Sequence, residues 1–253
     1  MIDLYTNILP TIGKGPKDTN TFLAMAKTLV DRGVTAIVAT PMYNKVNEIQ
    51  NSIQSYVDKA NERLQHSFIP LTILPGQKMV LQEGLVQALE RNECITLNHS
   101  KKYMLLQIPN ELSAFAVESI LYQLQLKEIV PIISEPERHR SFLENPDNLY
   151  ELVQKGAIVQ LSADSLLGRN GRKEKKAAVS FIDCGLGHVI ASGVNADTYE
   201  HYSLPKAYDC IARQFGNQML YKLMENADYI IEGKAVFKEQ PERLKKGKFL
   251  GIL

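Results

Sequence analysis

Short apolar runs alternate along the chain with longer segments whose apolar residues recur every three or four positions. Met1 to Pro10 alternates apolar with polar residues, the period of a strand covered on one face. Six further runs, at 35–40, 71–74, 103–109, 129–134, 157–162 and 188–192, are short and rich in β-branched and aliphatic residues and read as strands. The segments between them carry helical periodicity. Phe22, Met25, Ala26, Leu29 and Val30 share one face, with Asp18 or Thr19 as the N-cap and Gly33 as the stop. Residues 45 to 66 are mostly polar, with Val46, Ile49, Ile53, Tyr56, Val57 and Leu64 near one face, which predicts an amphipathic outer helix. Further helices are predicted over 84–91, 115–127, 146–155 and 174–184, with two terminal helices over 205–215 and 217–226.

The order is about seven βα units, an α/β pattern. Right-handed crossovers that keep adding parallel strands close into a barrel, and no GxGxxG turn follows the first strand, so a barrel is favoured over an open doubly wound sheet. In a barrel the chemistry sits where the strands end. The tip of the first strand, at Tyr5 and Asn7, is therefore a place to look for function.

Composition narrows the picture. With 253 residues, 45% of them hydrophobic, one large core is affordable, and residues 1–253 are expected to form a single barrel domain. A net charge of +1 gives no overall pull toward nucleic acid or an anionic membrane. Cys94, Cys184 and Cys210 are widely spaced, so neither a disulfide framework nor a CxxC site is expected, which suits a reducing, cytoplasmic setting. No basic-then-apolar leader opens the chain and no run approaches roughly 18 apolar residues. Neither export nor membrane insertion is expected.

Several chemistries fail on spacing. A cysteine-based phosphatase needs arginine six positions after the thiolate, but those positions hold Ser100, Ile190 and Gly216. Gly13-Lys14-Gly15 is not a Walker loop. His66, His99, His139, His188 and His201 show no HxH, HxxxH or HxxEH spacing. The basic stretch from Leu167 to Lys176 reads as a solvated loop and helix start rather than an anion site. The similarly basic tail, with Phe249-Leu250, reads as a segment that docks on the barrel or on a second subunit.

Taken in order, Met1-Ile-Asp-Leu, Ile37-Val-Ala-Thr-Pro41, Leu74-Pro-Gly-Gln77, Thr96-Leu-Asn98, Pro131-Ile-Ile133, Pro136-Glu-Arg138, Ser165-Leu-Leu-Gly168, His188-Val-Ile-Ala-Ser192 and Phe249-Leu-Gly251 resemble one family across the whole chain. It is the manganese-dependent protein-tyrosine phosphatases of the PHP (polymerase and histidinol phosphatase) superfamily, found at capsule and exopolysaccharide loci of Gram-positive bacteria. The resemblance implies a distorted (β/α)7 TIM-like barrel of the PHP type. It also implies a metal cluster that activates water against phosphotyrosine on the tail of a bacterial tyrosine kinase. Carried over position by position, the implied ligands are replaced by Tyr5, Asn7, Lys14, Met42, Lys78, Gln107, Glu135, Gly193 and Asn195. One carboxylate cannot hold two or three divalent ions beside two ammonium groups. Of two implied phosphate-binding arginines, Arg138 remains, and the other falls near Glu200.

The expectation is therefore a catalytically impaired pseudophosphatase with no metal and no cofactor, binding or regulating components of capsular polysaccharide synthesis. Arg138, Lys14 and Lys78 are its candidate phosphate-binding residues; alternatively, Lys14 and Lys78 pair with Glu135 and fill an abandoned pocket. The other reading is an active phosphotyrosine-protein phosphatase with an atypical or metal-free site, using Glu135, Tyr5 or Lys78 as acid–base groups. Expected partners are the phosphotyrosine tail of a kinase, an active homologue, or a second copy in a homo-oligomer.

Overall fold

A computed structural model describes residues 1–42 and 53–244. Val46 and Ile49 of the outer helix and Phe249-Leu250 of the tail lie outside the described residues. Strands β1 (Ile2–Thr6), β2 (Ala36–Ala39) and β3 (Thr72–Pro75) form one parallel sheet. Strands β4 (Lys78–Val80), β5 (Tyr103–Gln107), β6 (Val130–Ser134), β7 (Ile158–Ser162) and β8 (Val189–Ala191) form a second. Two parallel bridges join the sheets into a ring, Met42 to Lys78 on one side and Thr6 to Val194 on the other. The second seam is closed by backbone hydrogen bonds from Asn7 to the Val194 carbonyl at 2.8 Å and from Gly193 to the Tyr5 carbonyl at 2.9 Å.

The described residues hold one strand more than the sequence pattern predicts. The extended run that begins at Thr72 breaks after Pro75, and Lys78–Val80 leaves β3 to pair with β5. Gly76 makes the break possible. A Cβ there would lie 2.6 Å from Val38 Cγ1 and 3.1 Å from Leu97 Cδ2, distances that packed side chains do not tolerate.

Helices α1 (Thr19–Asp31), α2 (Ile53–His66), α3 (Leu85–Glu90), α4 (Ala114–Leu126), α5 (Arg140–Glu144), α6 (Asp147–Gln154), α7 (Ala163–Leu166), α8 (Arg172–Asp183), α9 (Leu204–Phe215) and α10 (Asn217–Ile231) follow in chain order. Asp18 is the N-cap of α1, its carboxylate accepting from the Thr21 amide at 2.8 Å. The short α5 and α7 were not legible, because one turn of helix gives periodicity nothing to repeat.

Successive strand residues face opposite sides. Tyr103, Leu105, Ile132, Ile158 and Val189 fill the barrel interior together with Leu4 and Val38, whereas Met104, Leu106, Ile133, Val159 and Ile190 pack outward against the helices. Ala227 and Ile230 of α10 pack into the interior cluster, and the Tyr103 hydroxyl bonds to the Lys234 carbonyl at 2.5 Å, so one end of the barrel is covered. The opposite end, where the strands finish, carries the polar side chains. No helix among the described residues is long and apolar enough to cross a membrane.

Candidate active site at the strand ends

Strand parity places Lys78 inward, since its neighbour Met79 packs in the outer core. Its side chain is 4% exposed, and its Nζ lies 3.2 Å from Glu135 Oε2 and 4.1 Å from the centre of the Tyr5 ring. Burying an ammonium requires such partners, a carboxylate for its charge and a ring face for its remaining surface. Glu135 ends β6 and bonds on its other oxygen to Arg138 Nη1, at 2.9 Å. Burial pushes the Glu135 carboxyl up, but the charges of Lys78 and then Arg138 outweigh it and hold the group below its ordinary value. The backbone at Glu135 is left-handed, φ 52° and ψ 47°, a conformation that costs a residue with a side chain on the order of 1–3 kcal/mol. The following Pro136 opens a 3₁₀ turn to Arg138, and this tight reversal aims both charged groups at one point.

Beneath this cluster, the buried Glu137 carboxylate accepts from the Ser162 amide at 2.8 Å. Its pKa is pushed up to about 7, mainly by burial, with the Glu135 charge adding to it. On the far side of Tyr5, Gly193 passes so close that a Cβ would stand 3.2 Å from the ring. The strand-end cluster is thus a line of contacting groups from Arg138 through Glu135, Lys78 and Tyr5 to Gly193.

The remaining predicted positions are only partly drawn in. Met42 pairs with Lys78 across the sheet seam but is 50% exposed. Asn7 joins the β1–β8 seam through its amide. Gln107 ends β5 half-buried. The Asn195 side chain turns into its own loop and accepts from the Asp197 amide at 2.9 Å. Lys14 is exposed, its carbonyl held by the Ala196 amide at 3.2 Å, and it forms no ion pair among the described residues. The network of both lysines with Glu135 is therefore corrected to one of Lys78 and Arg138 with Glu135: the loop bearing Lys14 reaches the site with its backbone.

Sequence reasoning missed a second polar group. Asp3 is fully buried at the closing seam, where it accepts from Ser192 Oγ at 2.5 Å, the Ser192 amide at 3.1 Å and the Tyr202 hydroxyl at 2.9 Å. The signal was an aspartate inside an apolar strand. Arg169, from the basic stretch read as solvated, pairs with Asp164 at 3.0 Å and reaches the His201 carbonyl at 2.8 Å. Cys94 is buried and its thiol is pushed up to about 11 by burial and by Glu93, as fits a core residue.

Residues 1–232 match the family described as capsular polysaccharide synthesis, CpsB/CapC. The tyrosine-protein phosphatase YwqE of Bacillus subtilis (strain 168) is 33% identical over 255 residues, with 100% of each chain covered. The putative tyrosine-protein phosphatase CapC of Staphylococcus aureus is 28% identical over 257 residues, again with 100% of each covered. A solved structure, from work on YwqE of Bacillus subtilis and CpsB of Streptococcus pneumoniae as unique metal-dependent tyrosine phosphatases, superposes with a TM-score of 0.91 at 32% identity, covering 97% of this chain and 100% of that one.

These relatives correct two expectations. The catalytically impaired pseudophosphatase is overturned, because the full-length relatives are named as tyrosine phosphatases. The expectation of no cofactor is overturned with it, because the superposing structure is of metal-dependent enzymes. The Glu135 carboxylate is engaged by two cations, and no group of three or more His, Cys, Asp or Glu side chains gathers among the described residues. That donor set does not fit a cluster of divalent ions.

Proposed function

Because the chain belongs to the CpsB/CapC family of capsular polysaccharide synthesis, we propose that it is a phosphotyrosine-protein phosphatase of atypical site composition, acting at the strand-end cluster on a phosphotyrosine-bearing protein of that process. The observation that carries this reading is the pair of cations, Lys78 and Arg138, converging on one carboxylate at the mouth of the barrel. Two cations set around a single anion are the arrangement a phosphoryl group requires.

Phosphoryl transfer needs positioning and charge compensation more than covalent help from the protein. In the proposed reaction the phosphoryl oxygens compete with Glu135 for Lys78 Nζ and the Arg138 guanidinium. Glu135, ionised while the two cations hold it, becomes the stronger base once the phosphoryl group has drawn them off. A water oxygen bonds to phosphorus as the bond to the tyrosine oxygen breaks; Glu135 takes the proton lost by the water, and the phenolate, departing on the opposite face, takes one from solvent. The Tyr5 ring, already stacked beneath the ammonium, is an apolar wall for the substrate ring.

The test is release of phosphate from p-nitrophenyl phosphate and from a phosphotyrosine peptide, with added manganese and with EDTA. Hydrolysis that drops at least about 100-fold in Glu135→Gln supports the assignment. Absence of hydrolysis under every metal condition sinks it. Loss of the rate in EDTA, restored by manganese, extends the metal dependence of the relatives to this chain.

A further inference from the structure

Beside the strand-end cluster, just beyond β5 and β6, lies a cavity of about 100 Å³, partly open to solvent. An apolar cavity of roughly 150 Å³ takes up benzene, so a partly open space of this order suits a single ring. Its walls are Ile108, Leu112, Val117, Phe142 and Leu152, with the His139 imidazole among them. It touches the candidate site at two consecutive steps of the chain: Gln107 and Arg138 belong to the strand-end site, and the very next residues, Ile108 and His139, line the cavity. Successive Cα atoms are about 3.8 Å apart, so the cavity begins one residue beyond the strand-end cluster at both points.

The chemistry of the cavity is that of an uncharged host. Its rim carries Glu118 and Glu151, but each is paired, Glu118 with Lys155 and Glu151 with Arg243. Burial holds the His139 ring below its ordinary value and therefore neutral, despite the nearby carbonyls of Pro109 and Ile108 and the charge of Glu111. The ring packs on Phe142 with centroids 5.0 Å apart, and both of its nitrogens are shielded from water without a hydrogen-bond partner among the described residues. At the mouth, Ala114 lines the cavity, and the next residue, Phe115, stands 82% exposed.

We propose that this cavity is the specificity pocket for the phosphotyrosine-bearing peptide and takes a single uncharged aromatic ring from a residue that flanks the phosphotyrosine. The assignment rests on the phosphatase reading for the location of the phosphoryl group, and it adds what the site selects. An aromatic ring supplies the flat apolar surface that the walls of Ile108, Val117, Phe142 and Leu152 match. A carboxylate entering this apolar, uncharged space would lose its hydration without gaining a cation, and is disfavoured.

The test uses the whole chain and three phosphotyrosine peptides that differ only at the flanking position, which holds Phe, Ala or Glu. Binding is measured by fluorescence anisotropy and turnover by phosphate release. The Phe peptide is expected to bind at least about tenfold more tightly than the Ala peptide, with the Glu peptide weakest. Val117→Phe, which fills the cavity from within, is expected to erase that preference while p-nitrophenyl phosphate turnover stays unchanged. Leu112→Glu, at the half-buried mouth, provides the same comparison if the first variant does not fold. Equal binding of the Phe and Ala peptides, or a preference that survives in a folded variant, overturns the assignment. A peptide preference without hydrolysis of any substrate keeps the pocket and removes the phosphatase reading. Hydrolysis without preference does the reverse.

Discussion

At the scale of single residues, the mouth of the barrel depends on an ion pair whose members cannot be removed singly. Lys78 is 4% exposed and Glu135 14%, so deleting one charge strands the other in a poor solvent, whereas replacing both with neutral groups removes the stranded charge. Lys78→Met is expected to destabilise the chain by about 3 kcal/mol, and Lys78→Met combined with Glu135→Gln to regain part of that loss. Urea denaturation of the two variants measures it; additive losses would show the pair to be uncoupled.

His188 offers a second residue-scale measurement. Its Nδ1 accepts from the Val159 amide at 3.1 Å. Burial, aided by the charges of Lys238 and Lys222, pushes its pKa down from 6.5 to about 3. The unfolded chain therefore takes up a proton near pH 6.5 that the folded chain refuses until about pH 3. Stability consequently falls as pH drops through that window, by up to about 1.4 kcal/mol per pH unit from this group. Replacing His188 with Gln is expected to flatten that slope, read from urea midpoints between pH 4 and pH 7, and an unchanged slope would assign it to other groups.

At the scale of elements, the closing seam between β1 and β8 is short in backbone terms and is reinforced by Asp3. Burial pushes that carboxyl up, and its bonds to the Ser192 hydroxyl and amide and to Tyr202 pull it back. Asp3→Ala leaves the Ser192 and Tyr202 hydroxyls without their acceptor inside the protein, a loss of roughly 2–4 kcal/mol. Because Ser192 leads into Gly193, which lies against the Tyr5 ring, peptide binding should weaken with the seam. A variant with unchanged melting and unchanged binding would mean that the backbone bonds alone close the ring. The same scale explains the extra strand. Periodicity cannot show that a single extended run is shared between two sheets; the change of partner from β2 to β5 is made by long-range pairing.

At the scale of the whole molecule, the ring of parallel strands was readable in advance because each strand and each helix of several turns declares its period locally. The site was readable only as a set of positions. Of these, the fold gathers Tyr5, Lys78, Glu135, Arg138 and Gly193, and leaves Lys14 and Asn195 engaged through their own loops. Function required still wider comparison. Spacing and ligand chemistry pointed to an inactive relative, and similarity along the full length to named tyrosine phosphatases corrected it. The hydrolysis assay with manganese and EDTA is the measurement at this scale.

By itself the sequence determined the order and type of the main elements, the apolar faces they bury and the family to which the chain belongs. All of these are carried by residues close together in sequence or by motifs in fixed order. Only the tertiary structure decided that Lys78 meets Glu135 across 57 positions and that Asp3 meets Ser192 across 189. It alone also set a neutral His139 facing an apolar cavity next to Arg138. Those contacts are made by closing the ring of strands, and no local period encodes which distant side chains the closure brings within reach.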